Sequence, residues 1–209
     1  WTVSESTRLQ LLEHGVDEVS VRPNGTDTEP LPELPAKHLA KPLRLIALSR
    51  LAPNKRVSDV IRVLALLNDA GCPAELTVVG SGWERDLLGR LAGSLGQADA
   101  VTFKEHLDDD EKNIELQKAH LLLHTSVREG WGLNVIEANA MGTPAVVYPV
   151  GGLVDSTVDG VTGLVSTEET PVSLAVKILQ LVDDPVRYDQ LREVAWRRSF
   201  EFRWEKVLR

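Results

Sequence analysis

The chain has 209 residues, 43% of them apolar and 26% charged, and a formal net charge of −8 at pH 7. This length can enclose one sizeable hydrophobic core, and the acidic balance argues against a general nucleic-acid coat, which would be basic. Cys72 is the only cysteine, which excludes a disulfide framework and a cysteine-based metal cluster and predicts a reducing, cytoplasmic location.

Strand and helix patterns alternate along most of the chain. Short apolar runs predict buried parallel strands at 43–48, 76–79, 100–103, 120–124, 145–150 and 163–165. Helical patterns fall between them, at 57–70, 83–95, 108–119, from about 133, at 172–182 and at 187–198. This alternation predicts an α/β fold with an open, doubly wound parallel sheet of the Rossmann-like kind.

Polar residues and glycines follow several of the predicted strands. Arg50 follows the first strand, Gly80 and Gly82 follow the second, Glu129 comes shortly after the fourth, and a glycine pair at 151–152 follows the fifth. The carboxyl ends of parallel strands share one edge of the sheet, and open α/β sheets bind ligands in the crevice there. The sequence therefore predicts a ligand cleft at this edge.

Two cations and a glycine-rich helix start indicate an anionic ligand. Arg50 and Lys55 flank a Pro53 turn, and two cations at the end of a strand can hold a diphosphate. Alternatively, Lys55 is solvated and Arg50 is paired with a nearby acid, and neither residue binds a ligand. Gly130-Trp131-Gly132 precedes a helix whose first amides lack internal partners and carry the positive end of the helix dipole. An ordinary glycine-rich turn is the alternative for that stretch.

Two carboxylates flank the predicted helix start. Glu137 lies about one turn into the helix, and helical side chains lean back toward the helix start, so its carboxylate can reach the same pocket and accept hydrogen bonds from a ribose diol. Glu129 precedes the helix and is placed for the other side of the anion. The pair fits a ligand made of nucleoside, diphosphate and sugar, with a solvated helix acid as the alternative for Glu137.

Several stretches together resemble one enzyme family. EGWGLNVIEA resembles the glutamate–seven residues–glutamate motif of retaining glycosyltransferases of family 4, which have the GT-B fold. SRLAPNK is similar to the family's diphosphate loop, LTVVGSG to its second strand and glycine turn, and FRWEKV to its closing helix. VRPNGTD looks like the end of the family's N-terminal domain, and the resemblance covers nearly the whole chain.

The resemblance implies a role for each matching residue. Arg50 and Lys55 would bind the donor diphosphate and stabilise it as the leaving group. Glu129 would contact the donor sugar near the reacting carbon, and Glu137 would bind the ribose. Gly80 and Gly82 would lie near the nucleotide and residues 104–106 beside the base. Backbone contacts to sugar and phosphates would come from Gly130, Trp131, Gly132, Leu133 and Asn134.

The sequence departs from the family pattern at four of these positions. Ser49 and Arg56 replace the usual glycines on either side of the diphosphate loop, which changes the stiffness of the loop more than its chemistry. Trp131 stands where phenylalanine is commoner, and Asn134 where valine or threonine is common.

The resemblance further implies transfer of a sugar from a UDP- or GDP-sugar to an acceptor, with retention of configuration and without a metal or other cofactor. Residues 1–30 would be the last strand-helix-strand unit of a mostly absent N-terminal acceptor domain, 31–42 a linker, and 43–209 the donor-binding domain. Full activity is expected to need the other half, through which the enzyme could associate peripherally with a membrane. None of the five histidines is a candidate, by position, for the histidine that this half supplies in many relatives.

Other functions are weighed against this one. Gly80-Ser81-Gly82 supplies two glycines of a dinucleotide fingerprint, but Arg85 occupies the place of the third, which argues against a nicotinamide-dependent oxidoreductase. A phosphorylase would need a lysine placed for pyridoxal phosphate, and the sequence has no motif for one. A non-catalytic nucleotide-sugar-binding module and a nucleotide-sugar epimerase on the same fold remain alternatives.

Overall fold

The computed structural model describes residues 1–208, and its centre is a six-stranded parallel sheet. The strands are β1 Leu43–Leu48, β2 Ala74–Val79, β3 Val101–Lys104, β4 Leu121–His124, β5 Ala145–Val147 and β6 Gly163–Val165. Their order is β3-β2-β1-β4-β5-β6, and all neighbouring pairs are parallel. The chain order reverses between β1 and β4, so this α/β sheet is doubly wound and Rossmann-like, as predicted.

Helices join the strands and cover the sheet. Within residues 1–208 the α-helices are α1 Glu5–Glu13, α2 Val57–Asp69, α3 Arg85–Ser94, α4 Asp109–Lys118, α5 Leu133–Ala140, α6 Leu153–Ser156, α7 Pro171–Val182, α8 Pro185–Ser199 and α9 Trp204–Val207. α2 packs against α3 and α7, and α5 packs against α4 and α8. This grouping is expected for helices on the two faces of a doubly wound sheet. No helix of the described residues is both long enough and apolar enough to span a bilayer.

Local sequence explains where these elements begin and end. α2 buries Val60, Ile61 and Leu64 on one face, at the three- and four-residue steps that predict a helix. α4 begins at a capping box, since Asp108 Oδ1 accepts from the Glu111 amide at 2.8 Å and Glu111 Oε2 accepts from the Asp108 amide at 3.1 Å. The fifth predicted strand was too long, because Pro149 has no amide hydrogen to continue the ladder.

Residues 1–30 are less regular than predicted. α1 forms where a helix was predicted, and the Ser4 hydroxyl caps it by accepting from the Thr7 amide at 3.2 Å. The two flanking strands are reduced to a single parallel bridge between Thr2 and Val21. Two short segments with no further strand beside them gain little from pairing, which explains why the bridge does not extend into a ladder.

Residues 31–42 contain no helix or strand, and they are bonded to the rest of the chain. The Leu31 amide donates to the Ala140 carbonyl at 3.0 Å. Lys37 Nζ donates to the Ala119 carbonyl and to Thr143 Oγ1, both at 2.7 Å. We call residues 31–42 the strap, because these long-range bonds fix the segment against α5 and the turns around it.

Candidate active site

The carboxyl edge of the sheet borders a cleft of about 630 Å³. The cleft lies at the point where the strand order reverses, with Leu48 from the end of β1 and His124 from the end of β4 in its wall. All the site residues predicted from the sequence line it except Gly80, Gly82 and residues 104–106. The lining residues are Val3, Asn24, Leu48, Ser49, Arg50, Lys55, His124, Glu129, Gly130, Trp131, Gly132, Leu133, Asn134 and Glu137.

Gly80 and Gly82 serve the packing of loops beside the cleft. Gly80 has φ +136°, and a Cβ atom there would lie 2.0 Å from the Ser49 carbonyl oxygen. A Cβ atom on Gly82, which has φ +156°, would lie 2.2 Å from the Leu51 carbonyl oxygen. The Leu51 amide donates to the Ser81 carbonyl across this approach, at 2.9 Å. Glycine is therefore required here so that the β2 turn can approach the β1 loop.

The β1 loop carries the two predicted cations. A short 3₁₀ turn, Pro53–Lys55, follows β1, and Thr125 Oγ1 donates to the carbonyls of Lys55 and Arg56 at 3.1 and 2.9 Å. These bonds fix the loop to the end of β4. Arg50 is exposed and makes no ion pair with any residue that the structure describes.

Glu129 accepts hydrogen bonds at one carboxylate oxygen from more than one side. Lys55 Nζ donates to Glu129 Oε1, Ser126 Oγ donates to the same oxygen at 2.9 Å, and His124 Nε2 lies 3.4 Å from it. Burial opposes ionisation of this carboxyl, but the polar contacts of His124 and Lys55 outweigh that effect and lower the pKa of Glu129 to about 2. Glu129 is therefore a carboxylate at neutral pH.

The start of α5 presents free backbone amides to the cleft. Gly132 precedes the helix with φ +82°, and no side chain caps the first turn. A Cβ atom on Gly132 would lie 2.9 Å from Ser156 Oγ, so a larger residue would strain the turn as well as crowd it. Asn134 Nδ2 donates to the Leu48 carbonyl at 2.7 Å, which ties α5 to the end of β1. Uncapped amides at a helix start are suited to hold an anion.

Glu137 lies at the boundary between the cleft and a smaller pocket of about 220 Å³. Its Oε1 accepts from Lys112 Nζ at 3.0 Å, and Lys112 also bonds Asp109 Oδ1 at 2.8 Å. Burial disfavours the charged ammonium, but the bonds to Asp109 and Glu137 raise the pKa of Lys112. Lys112 thus partly neutralises Glu137 while leaving it in the cleft wall.

Trp131 joins the cleft to a small hydrophobic cluster. Its side chain is buried, and its ring lies 5.3 Å from that of Phe202, centroid to centroid. Ile136 and Val3 pack in the same cluster. Trp131, whose ring is larger than that of the phenylalanine commoner at this position, therefore packs Val3 and Phe202 against the start of α5.

Sequence reasoning missed several residues of the site. His124 was counted within an apolar strand run, although a polar residue at the carboxyl end of a strand is a usable signal. Ser126 and Lys112 carry no motif of their own, and their relevance follows only from the side chains they contact. Among residues 1–208, no group of three or more histidine, cysteine, aspartate or glutamate side chains is arranged to hold a metal ion.

The fold and the cleft define an α/β domain with a cleft at its strand reversal, lined by Arg50, Lys55 and the uncapped start of α5. Residues 32–198 match the family described as glycosyl transferases group 1, and the chain belongs to this family. The prediction of a glycosyltransferase with the GT-B fold is thereby confirmed at the level of family and fold.

Individual relatives are similar over almost the whole chain. A glycogen synthase of Mycobacterium tuberculosis is 30% identical over 99% of this chain and 53% of its own length. A D-inositol 3-phosphate glycosyltransferase of Salinispora arenicola is 32% identical over 98% of this chain and 48% of its own. Anabaena HepE in complex with UDP-glucose superposes with a TM-score of 0.81 and 22% identity, over 99% of this chain and 60% of that one. The chain spans about half the length of the curated relatives it matches.

Proposed function

We propose that this chain is the donor-binding half of a retaining glycosyltransferase of family 4, which moves a sugar from a nucleotide-diphosphate sugar to an acceptor. The observation that carries the proposal is the convergence of Arg50, Lys55 and the free amides of α5 on one cleft between Glu129 and Glu137. Family membership supports the reaction class. The experiments below test the retention of anomeric configuration and the identity of the donor nucleotide.

The cations and amides suit the leaving group. When the bond between the sugar and the diphosphate breaks, negative charge grows on the diphosphate, and fixed positive groups stabilise that charge more than the ground state. Arg50 has its hydrogen-bonding capacity available, and the α5 amides carry the positive end of the helix dipole. These groups can neutralise the diphosphate, and the proposed mechanism therefore uses no metal.

The two glutamates suit opposite ends of the donor. Glu129 lies beside Lys55 and stays ionised, so its carboxylate can stabilise positive charge that develops on the sugar ring. Glu137 bonds Lys112 through Oε1, and its other oxygen can accept from a ribose diol. With the diphosphate on the α5 start between them, the nucleoside would extend toward Glu137 and the sugar toward Glu129.

UDP-sugars and GDP-sugars are the proposed donors. The HepE structure holds UDP-glucose, which favours testing UDP first although the likeness at that identity concerns the fold. We also propose that residues 1–30 belong to the last unit of an N-terminal acceptor domain. Val3 and Asn24 from this segment line the cleft, which supports a site completed by a second domain. Location in the cytoplasm stays a prediction.

A nucleotide panel tests the proposal on this chain. We expect UDP or GDP to raise the melting temperature and to bind saturably, and we expect the effect to disappear in Arg50→Ala. Arg90→Ala, an exposed arginine on α3, is the matched control. Absence of any shift with UDP, GDP and their sugars would contradict the proposal.

Product analysis of the full-length enzyme separates the alternatives. A glycosyltransferase releases the nucleotide diphosphate and forms a glycoside, whose anomeric configuration, read by NMR, tests retention. A binding module would bind the donor and leave it intact. An epimerase would convert the nucleotide sugar into a stereoisomer that still carries the nucleotide.

A further inference from the structure

We propose that Lys55 changes partner when the donor binds: the diphosphate takes Lys55 from Glu129, while Ser126 and His124 hold the Glu129 carboxylate in place. The inference rests on the proposed function and adds two things to it. It makes Glu129 a competitor of the diphosphate for Lys55. It also makes Ser126 and His124 positioning residues of the site.

The first step is the existing pairing of Lys55. The side chains of Lys55 and Glu129 are 14% and 17% exposed, and the ammonium donates directly to Oε1. A pair shielded from water is held more strongly than a surface pair, because the effective dielectric is lower. A diphosphate that recruits Lys55 must therefore weaken this pair first.

The second step is that Glu129 keeps other partners. Ser126 Oγ donates to Glu129 Oε1 at 2.9 Å, and the buried His124 places Nε2 3.4 Å from the same oxygen. Both residues belong to β4 or the turn directly after it, and this stretch is bonded to the backbone carbonyls of the Lys55 loop, not to the Lys55 ammonium. Departure of the ammonium therefore leaves their positions fixed. Without such partners, the departure of Lys55 would leave a half-buried carboxylate unpaired, at considerable cost.

A different arrangement uses the same contacts and predicts the opposite result. A lysine ammonium has three donors, so Lys55 could bond Glu129 and the diphosphate together, with Glu129 orienting it. Removing the Glu129 charge would then weaken nucleotide binding. Under the exchange that we propose, the same change frees Lys55 and tightens nucleotide binding.

The test is calorimetric titration of UDP and of GDP into the wild-type chain, Glu129→Gln, Lys55→Met and the double variant. We expect Glu129→Gln to bind roughly 5- to 30-fold more tightly than wild type, and Lys55→Met to bind more weakly. We expect the gain from Glu129→Gln to be mostly lost in the Lys55→Met background. Glu193→Gln, the same change at an exposed glutamate on α8, is the control, and its affinity should stay within about threefold of wild type.

The outcomes distinguish three failures. No titration heat with wild type would overturn the proposed function and the exchange with it. Unchanged or weaker binding by Glu129→Gln, with wild type binding normally, would overturn the exchange alone. An equal gain in both backgrounds would also overturn it, because direct repulsion between Glu129 and the nucleotide would then be the cause. If Glu129→Gln does not fold by circular dichroism, Glu129→Ala carries the same cycle.

A second measurement tests the positioning residues without a ligand. In Lys55→Met, carbon-detected NMR titration should find the pKa of Glu129 still below the ordinary value of about 4.3 for glutamate, because Ser126 and His124 still hold the carboxylate. Adding Ser126→Ala and His124→Gln should raise it. A pKa at or above the ordinary value in Lys55→Met alone would show that Lys55 was the only effective partner, and the positioning role would be wrong.

Discussion

Basic side chains cluster in two regions of this chain, and their hydrogen bonds differ. One region is the cleft, and the other is the strap together with the residues that contact it, which we call the strap region. In the strap region, Arg192 donates to the carbonyls of Gly142 and Pro35 at 3.0 and 2.9 Å, and Lys37 Nζ has three oxygen partners. In the cleft, Arg50 is exposed and has no ion-pair partner among the described residues. Basic side chains bind a ligand only where donors remain available. Since Lys55 is paired with Glu129, we expect Arg50 to be the first cation of the cleft to meet a ligand, and we expect the strap region to serve stability.

The largest expected effect is a loss of turnover without a loss of stability when the cleft residue Arg50 is replaced. Arg50→Ala should lower turnover of the full-length enzyme by roughly 30- to 1,000-fold, equivalent to about 2–4 kcal/mol of transition-state stabilisation. Its melting temperature should stay within a few degrees of wild type, because an exposed loop arginine supports little core. Steady-state kinetics and calorimetry on the same preparation check both parts. Activity within about threefold of wild type would break the assignment of Arg50 to the diphosphate.

A substitution in the strap region should have the opposite effects, a loss of stability with unchanged nucleotide affinity. Arg192→Leu should lower the free energy of unfolding by about 2–3 kcal/mol, because the Pro35 carbonyl loses its arginine donor and the Gly142 carbonyl keeps only Lys37. Affinity for UDP or GDP should not change in the folded protein. Denaturant titration gives the first quantity, and Arg197→Leu, whose arginine is exposed on the same helix, is the control. Loss of nucleotide binding by folded Arg192→Leu would erase the distinction between the regions.

His120 and Lys37 make the stability of the folded chain depend on pH. Burial is the main cause that lowers the pKa of Lys37 to about 6, so the stability that its protonation removes as the pH falls is lost mostly above that pH, and His120 acts below it. His120 Nδ1 accepts from the Arg44 amide at 3.0 Å, and burial, followed by the nearby Arg44 and Lys37 charges, lowers the pKa of His120 from 6.5 to about 4. The unfolded chain therefore binds the proton more tightly, and stability should fall as the pH drops from about 6.5 to 4, by about 2–3 kcal/mol.

Unfolding of wild type and His120→Asn at pH 7 and pH 4.5 measures this contribution. The loss of stability between the two pH values should be smaller in His120→Asn, whose amide oxygen can still accept from Arg44. His38→Asn, at an exposed strap histidine, should lose as much as wild type. Equal losses in all three proteins would show that the pKa of His120 does not differ between the folded and unfolded states.

The smallest expected effect concerns Arg56, at the edge of the cleft. Its backbone is left-handed, with φ +48°, which explains why relatives are expected to have glycine there. Arg56→Gly should change the free energy of unfolding by less than about 1 kcal/mol, since relief of backbone strain offsets a more flexible unfolded chain and the loss of the surface pair with Glu169. Thermal melts of both proteins check this, and a loss of several kcal/mol would mean that the pair matters more than its exposure suggests.

Much of the fold was predictable because its signals are local. The strand at 43–48 was predicted to the residue, since apolar runs bounded by polar residues mark buried parallel strands. The site edge followed from strand order, because carboxyl ends of parallel strands meet. The motif residues Glu129 to Asn134 and Glu137, which are neighbours in the sequence, also line one cleft.

The parts that were missed depend on contacts between distant residues. Arg192 holds Pro35 from 157 positions away, so the strap looked like a free linker in the sequence. Lys55 and Glu129 are 74 positions apart, and their pairing changes what each is expected to do. The requirement for glycine at Gly80 and Gly82 comes from the approach of another loop, which no local pattern records.

The central claim is that the donor lies along the start of α5 with its nucleoside toward Glu137 and its sugar toward Glu129. The most direct test is calorimetric titration of UDP and GDP into Glu137→Gln and Glu129→Gln. The account predicts at least about tenfold weaker binding for Glu137→Gln, which loses a charge-assisted bond to the ribose, and no loss for Glu129→Gln. Abolished binding in Glu129→Gln together with intact binding in Glu137→Gln would show that the donor is oriented the other way.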